Sequence, residues 1–192
     1  VPVERYYETH PEYFSMVGGV RLREQTQLCL TNPEVLEIVT QGVLDNIKAN
    51  PNRKIFSISQ NDCYNPCTCP ACAQIDEQEG SHAGTLIRFV NEVANAIAED
   101  YPNVIIDTLA YTYTRQAPKT RPAPNVAVRI CSIECCFSHP LRSCTEVSKD
   151  FKSRVGEATL QQDLKGWSEI CDRIYIWDYT TDFAHYLMTF PN

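Results

Sequence analysis

A carboxylate set among thiols at the end of an apolar run is the part of this sequence best suited to chemistry. In VAVRICSIECCFSHPLRSC (residues 126–144), a β-branched stretch gives way to Glu134, which stands amid Cys131, Cys135, Cys136 and Cys144 and close to His139. An ionised carboxyl in poorly solvated surroundings is costly unless it is paired or used. One escape is a raised pKa, which makes such a group a general acid near neutral pH. The competing reading is a structural ion pair with Arg129 or Arg142. Cys135 and His139 have the residue types of a thiol nucleophile and its base, but no peptidase or acyltransferase signature surrounds them.

Two more polar clusters follow apolar runs. KIFSIS (residues 54–59) hands over to Gln60, Asn61 and Asp62, and RIYIW (residues 173–177) hands over to Asp178 and Tyr179, with His185 and Tyr186 beyond. A third run, VIIDTLA (residues 104–110), ends on Tyr111 and Tyr113. Hydrolysis of a glycosidic bond needs a protonated carboxyl for the leaving oxygen and a second group at the anomeric carbon. Glu134 suits the first role, and Asp62 and Asp178 are candidates for the second. Tyr111, Tyr113 and Tyr179 offer amphipathic faces on which sugar rings stack, and His139 and His185 offer hydrogen bonds to sugar hydroxyls. Trp177 alternates with Asp178 and is expected in the core.

The elements that must position these groups are readable from periodicity. Asn32 and Pro33 begin a helix whose Val35, Leu36, Val39, Val43, Leu44 and Ile47 share one face. A second helix buries Leu86, Phe89, Val90, Val93, Ala94 and Ile97, and a third carries Leu160, Leu164, Trp167 and Cys171. Residues 1–30 read as loose, with a turn at Gly18 and Gly19. The segment 117–124 holds Pro118, Pro122 and Pro124 and is expected to lack a helix. Val126, Val128 and Ile130 alternate with Ala127, Arg129 and Cys131, and Ser132 and Glu134 continue the first face. The order α-β-α-β-loop-β-α-β implies parallel strands with helices outside. The strand ends then share one rim, the place where a (β/α)₈ barrel holds its active site. Four strands cannot close such a barrel, so residues 1–192 are expected to be one segment of a TIM-type catalytic domain, with the remainder outside this chain.

Composition narrows the partners. A net charge of -7, with no basic run, argues against nucleic acid, and no stretch approaches the length of a membrane-spanning helix. The opening VPVERYYETH lacks the apolar region of a signal peptide. Ten cysteines favour an oxidising compartment. Cys63, Cys67, Cys69 and Cys72 share a loop that suits a disulfide knot, reduced thiols or a metal knuckle. Zinc ribbons use two separated Cys-x-x-Cys pairs, and Cys69 and Cys72 make one, so no metal or other cofactor is expected. Cys67, Cys69 and Cys72 are the ligands the loop would offer. A disulfide from these cysteines to Cys135, Cys136 or Cys144 would brace two loops of the shared rim.

HPEYF (10–14), QLCLTNPE (27–34), SQND (59–62), GTLIRFVN (84–91), IDTLAY (106–111), CSIECCFSHP (131–140) and IWDYTTDFAHYL (176–187), with the cysteine run at 67–72, together resemble a bacterial family. It is the one once called domain of unknown function 4838, part of which is now glycoside hydrolase family 163. The resemblance covers nearly the whole chain. It implies a TIM-barrel glycosidase exported to the periplasm or cell surface, with endo-β-N-acetylglucosaminidase action on N-glycans. The substrate's own acetamido group would be the nucleophile, Glu134 the acid/base, and Asn61, Asp62, Tyr111 or Asp178 the groups that hold the acetamide. The alternative is a barrel remnant that binds carbohydrate without cleaving it.

Overall fold

The structure, a computed structural model, describes residues 1–146 and 158–179. Its N-terminal part is more ordered than composition suggests. A short helix, α1 (Val3–Tyr6), and a 3-10 turn precede a hairpin of β1 (Met16–Val17) and β2 (Val20–Arg21). Gly18 and Gly19 join these strands at φ 59° and 82°, a left-handed pair that glycine adopts without steric cost.

Helix α2 (Pro33–Ala49) starts where expected, because the Asn32 side chain accepts the backbone N–H groups of Glu34 and Val35 at 2.9 and 3.2 Å. Strand β3 (Ile55–Ser57) follows, then α3 (Pro70–Glu79) and α4 (Ala83–Ala98). Helix α3 begins inside the stretch that sequence analysis placed in the cysteine loop. Its few apolar residues give weak periodicity, and it is stopped by Gly80 at φ 69°.

Strands β4 (Ile105–Ala110), β5 (Val126–Cys131) and β6 (Ile174–Trp177) complete a four-stranded parallel sheet in the order β3-β4-β5-β6. The register aligns Phe56 with Ile106, Ile106 with Val126, and Val128 with Ile174. The crossing from β4 to β5 holds a 3-10 turn (Thr112–Thr114) and no α-helix, and α5 (Leu160–Ile170) precedes β6.

One face of the sheet is packed by helices. Phe56, Ile106 and Val126 join Phe89, Val90, Val93 and Ile97 of α4 and Val35, Val43 and Ile47 of α2 in the main core. Val128 and Ile130 pack with Ile87 and with Trp167 of α5. The opposite face carries the ion pair of Arg129 with the buried Asp107. On that face Ile55, Tyr175 and Trp177 are exposed. Trp177 is 48% exposed, with the Arg129 guanidinium 5.3 Å from its ring centroid, because it lies on the face opposite the helices. The expectation that it lies in the core is corrected accordingly. Among the described residues no helix is long and apolar enough to cross a membrane.

Candidate active site

Strand β5 ends at Cys131, and the backbone N–H of Cys135 donates to the Ser132 carbonyl at 3.0 Å, closing a turn. Regular strand geometry therefore ends before Glu134, whose carboxyl lies beside Arg115. Glu134 is 1% exposed. On one side lies the turn after β4, where Thr112 takes φ 51°, a conformation costly for a β-branched residue. Gln60, from the end of β3, holds this turn. Its Nε2 donates to the Tyr111 carbonyl at 3.0 Å and to Thr112 Oγ1 at 2.9 Å, and Thr114 Oγ1 donates to Gln60 Oε1 at 2.5 Å.

The turn delivers Arg115 to the first turn of α5. Arg115 Nε donates to Asp163 Oδ2 at 2.9 Å, Nη2 donates to the same oxygen, and Nη2 also reaches the Ala158 carbonyl at 2.9 Å. Trp167 Nε1 fixes the Arg115 backbone by donating to its carbonyl at 2.6 Å. Glu134 receives less: its Oε2 is 3.8 Å from Arg115 Nε, and neither carboxyl oxygen makes a hydrogen bond of normal geometry. Burial pushes the Glu134 carboxyl up to about 7. Arg115 opposes the shift, and the Asp163 charge adds to it. Asp163, itself buried, is raised for the same first reason despite its partner. The result is a carboxyl that keeps its proton near neutrality, the state a general acid requires.

Sequence reasoning missed Arg115 and Asp163. Asp163 sits three residues after Leu160 and one before Leu164, on the apolar face of α5, and a carboxylate at that spacing signals a buried partner.

The other strand ends contribute a connected rim. Tyr111 Oη donates to Asp62 Oδ1 at 2.9 Å, linking the ends of β4 and β3. Ser132 Oγ donates to Asp178 Oδ1 at 2.9 Å and accepts the Tyr179 backbone N–H at 2.9 Å, linking β5 to the end of β6. Burial raises the Tyr111 hydroxyl, followed by the hydrogen bond to Asp62 and by the charges of Asp62 and Glu134. Burial likewise lifts Tyr179 to about 12, with the charges of Cys131, Glu134 and Asp62 adding to it. Asp62, Tyr111, Glu134 and Tyr179 thus share one electrostatic neighbourhood. A cleft of about 260 Å³ opens beside Asp178, bounded by Ser132, Cys135, His139 and Thr159.

Three other sequence-nominated residues are placed differently. Asn61 is committed to the scaffold: its Nδ2 donates to the Thr26 carbonyl at 2.7 Å, and its backbone N–H and carbonyl pair with the two ends of the Gln27 amide, each at 2.8 Å. Tyr113 faces His82, ring centroids 6.0 Å apart, at a separate cleft of about 430 Å³. His139 is exposed and meets Cys136 Sγ at 3.4 Å and Glu146 at 3.9 Å, so it orients no rim carboxylate. His185 lies outside the described residues.

None of the ten cysteines is in a disulfide. The expected bridge between the two cysteine clusters is not formed, because each cluster closes locally. Cys67, Cys69 and Cys72 gather with Cys29, and Cys136 gathers with His139 and Cys144.

An α/β fold whose parallel strands carry carboxylates and tyrosines at their C-terminal ends has the architecture in which such ends form ligand sites. Within that class the chain belongs to the family described as domain of unknown function (DUF4838), which matches residues 1–192. No curated protein and no solved structure matches the chain.

Proposed function

We propose that this chain is catalytic and cleaves β-linked N-acetylglucosamine in glycans, as an endo-β-N-acetylglucosaminidase-like retaining glycoside hydrolase with Glu134 as acid/base. One observation carries the reading: Glu134 is a strand-end carboxyl that burial keeps protonated up to about 7. It stands beside a rim of further carboxylates and tyrosine hydroxyls. Protonating a glycosidic oxygen is the task such a group performs.

In a substrate-assisted reaction the acetamido oxygen attacks the anomeric carbon while Glu134 gives its proton to the leaving oxygen. Water then opens the cyclic intermediate, and Glu134 takes a proton back. The protein supplies no nucleophile and must hold the acetamide in place. The Asp62 and Tyr111 pair and the Ser132-tethered Asp178 are the groups for that task, since their carboxylates are exposed at the strand ends. In this reading the four strands are part of a (β/α)₈ barrel. Their sequential parallel order, the helices on one face and the exposed Ile55, Tyr175 and Trp177 on the other support it.

A specific observation favours a second reading. Glu134 is 1% exposed and lies beside Arg115, so a reaction requires a path to open to its carboxyl, whereas a rim that only binds carbohydrate does not. Incubation with a complex N-glycoprotein, followed by mass spectrometry of released glycans, separates the two. Cleavage leaving one N-acetylglucosamine on the protein supports hydrolysis. Calorimetric binding of the glycan with no product supports the binding module.

A further inference from the structure

Cys29, Cys67, Cys69 and Cys72 converge from two distant parts of the chain. Their sulfurs all lie within 4.8 Å of one another, and all four residues are buried. Cys29 Sγ is 3.7 Å from Cys69 Sγ and 4.0 Å from Cys72 Sγ. A tetrahedral zinc ion with Zn–S bonds of about 2.3 Å places its sulfurs about 3.8 Å apart. We infer that these four cysteines form a closed structural zinc site.

The surroundings suit four thiolates. Cys69 is the N-cap of α3 and Cys72 lies in its first turn, so the positive end of a ten-residue helix faces the cluster. The Met16 backbone N–H donates to Cys67 Sγ at 3.3 Å, and Arg21 Nη1 approaches the same sulfur at 3.7 Å. Thr31 Oγ1 lies 3.3 Å from Cys72 Sγ and 3.5 Å from Cys29 Sγ. Such donors orient metal-bound thiolates and offset the net -2 charge of Zn²⁺ with four sulfurs. Binding releases four thiol protons to solvent and involves no redox change. All four positions are filled by protein, which leaves none for substrate and makes the site structural.

Spacing alone concealed it. The run supplies one Cys-x-x-Cys pair, and the remaining ligands are Cys67 and a cysteine 38 residues upstream of it in sequence, which only the fold brings close. The site staples the segment around Gln27 to the loop after β3. Gln27, two residues before Cys29, holds Asn61 at both ends of its amide, and Asn61 precedes Asp62. The metal therefore braces one edge of the candidate rim without touching it.

Elemental analysis of the full chain, purified without chelator or polyhistidine tag, should find one equivalent of zinc. Cys29→Ser and Cys72→Ser should lose it, and Cys136→Ser should keep it. Because those variants risk misfolding, the wild-type protein gives an independent readout. Cobalt(II) substitution should produce the intense visible bands of a tetrahedral thiolate site, and a chelator should expose four additional reactive thiols. Zinc retained by Cys29→Ser, iron in place of zinc, or metal-free protein yielding disulfide-linked peptides from these cysteines would overturn the assignment.

Discussion

Nε of Arg115 lies 3.8 Å from Oε2 of Glu134, beyond hydrogen-bonding reach, while the same nitrogen donates to Asp163 at 2.9 Å. One cation is thus divided unequally between two buried carboxyls. The better-served one is a fixed anchor, and the other retains its proton. In the proposed reaction the second carboxyl, Glu134, is the acid.

Stability should carry the imprint of that proton. Unfolded, the Glu134 carboxyl titrates near its ordinary value of 4.5; folded, it titrates near 7. The folded state binds the proton more tightly, so the contribution is complete below about pH 4.5 and is lost as pH rises through 7. The swing is on the order of 3 kcal/mol. Urea denaturation from pH 4.5 to 8.5 checks it, since Glu134→Gln should flatten the decline that the wild type shows across this window.

Asp163→Asn should lower the Glu134 pKa. The substitution removes a neighbouring negative charge and frees Arg115 to turn toward Glu134. Carboxyl ¹³C NMR would show the Glu134 titration moving toward 4.5, whereas an unshifted titration would mean that Asp163 has no part in holding the proton. Arg115→Met, which leaves both buried carboxyls without their cation, should cost about 3–5 kcal/mol in denaturant unfolding.

The Asp62 and Tyr111 pair can be read spectroscopically. Burial comes first in raising the Tyr111 hydroxyl, and the hydrogen bond and charge of Asp62 come next. Asp62→Asn should therefore let one tyrosine ionise at lower pH in an ultraviolet titration, with the far-ultraviolet circular dichroism unchanged. In the proposed reaction the same variant should slow turnover through loss of acetamide positioning.

Glu79 offers a test of the scaffold with the opposite pH sign. Burial works to raise this carboxyl, but Thr120, through its side chain and backbone, and Arg88 outweigh it and hold it down at about 2. Its stabilisation is present above about pH 4.5 and is lost as pH falls toward 2. Gly84 packs directly on it: a Cβ there would meet Glu79 Cγ and Cβ closer than any carbon contact allows. Gly84→Ala should cost ~1–3 kcal/mol through overpacking, measured as a lower Tm with the same denaturant m-value.

The strands and the three amphipathic helices were legible because burial writes itself as period 2 and period 3.6. Asn32 marked the start of α2 for the same local reason, its side-chain cap. Helix α3 was not legible, since its stability rests on the cysteine cluster and on Glu79 more than on an apolar stripe. The nomination of Glu134 needed only a strand and a charge. The strand is followed by a turn at residues 132–135, and the proton affinity of Glu134 comes first from burial, opposed by Arg115 and reinforced by Asp163, 19 and 29 residues away in sequence. Trp177 was misplaced because alternation identifies two faces and not which of them is covered. Cys29 escaped notice because no local spacing ties it to the run at 67–72.

The role of Glu134 is tested most directly by comparing wild-type and Glu134→Gln proteins on one N-glycoprotein, with released glycan counted by mass spectrometry. Gln keeps the shape and the buried amide-sized volume but has no proton to give to the leaving oxygen. The expected result is a loss of roughly 10²- to 10⁴-fold in release rate, with a folded variant at least as stable as wild type at pH 8. Release at the wild-type rate by Glu134→Gln would contradict its assignment as the acid.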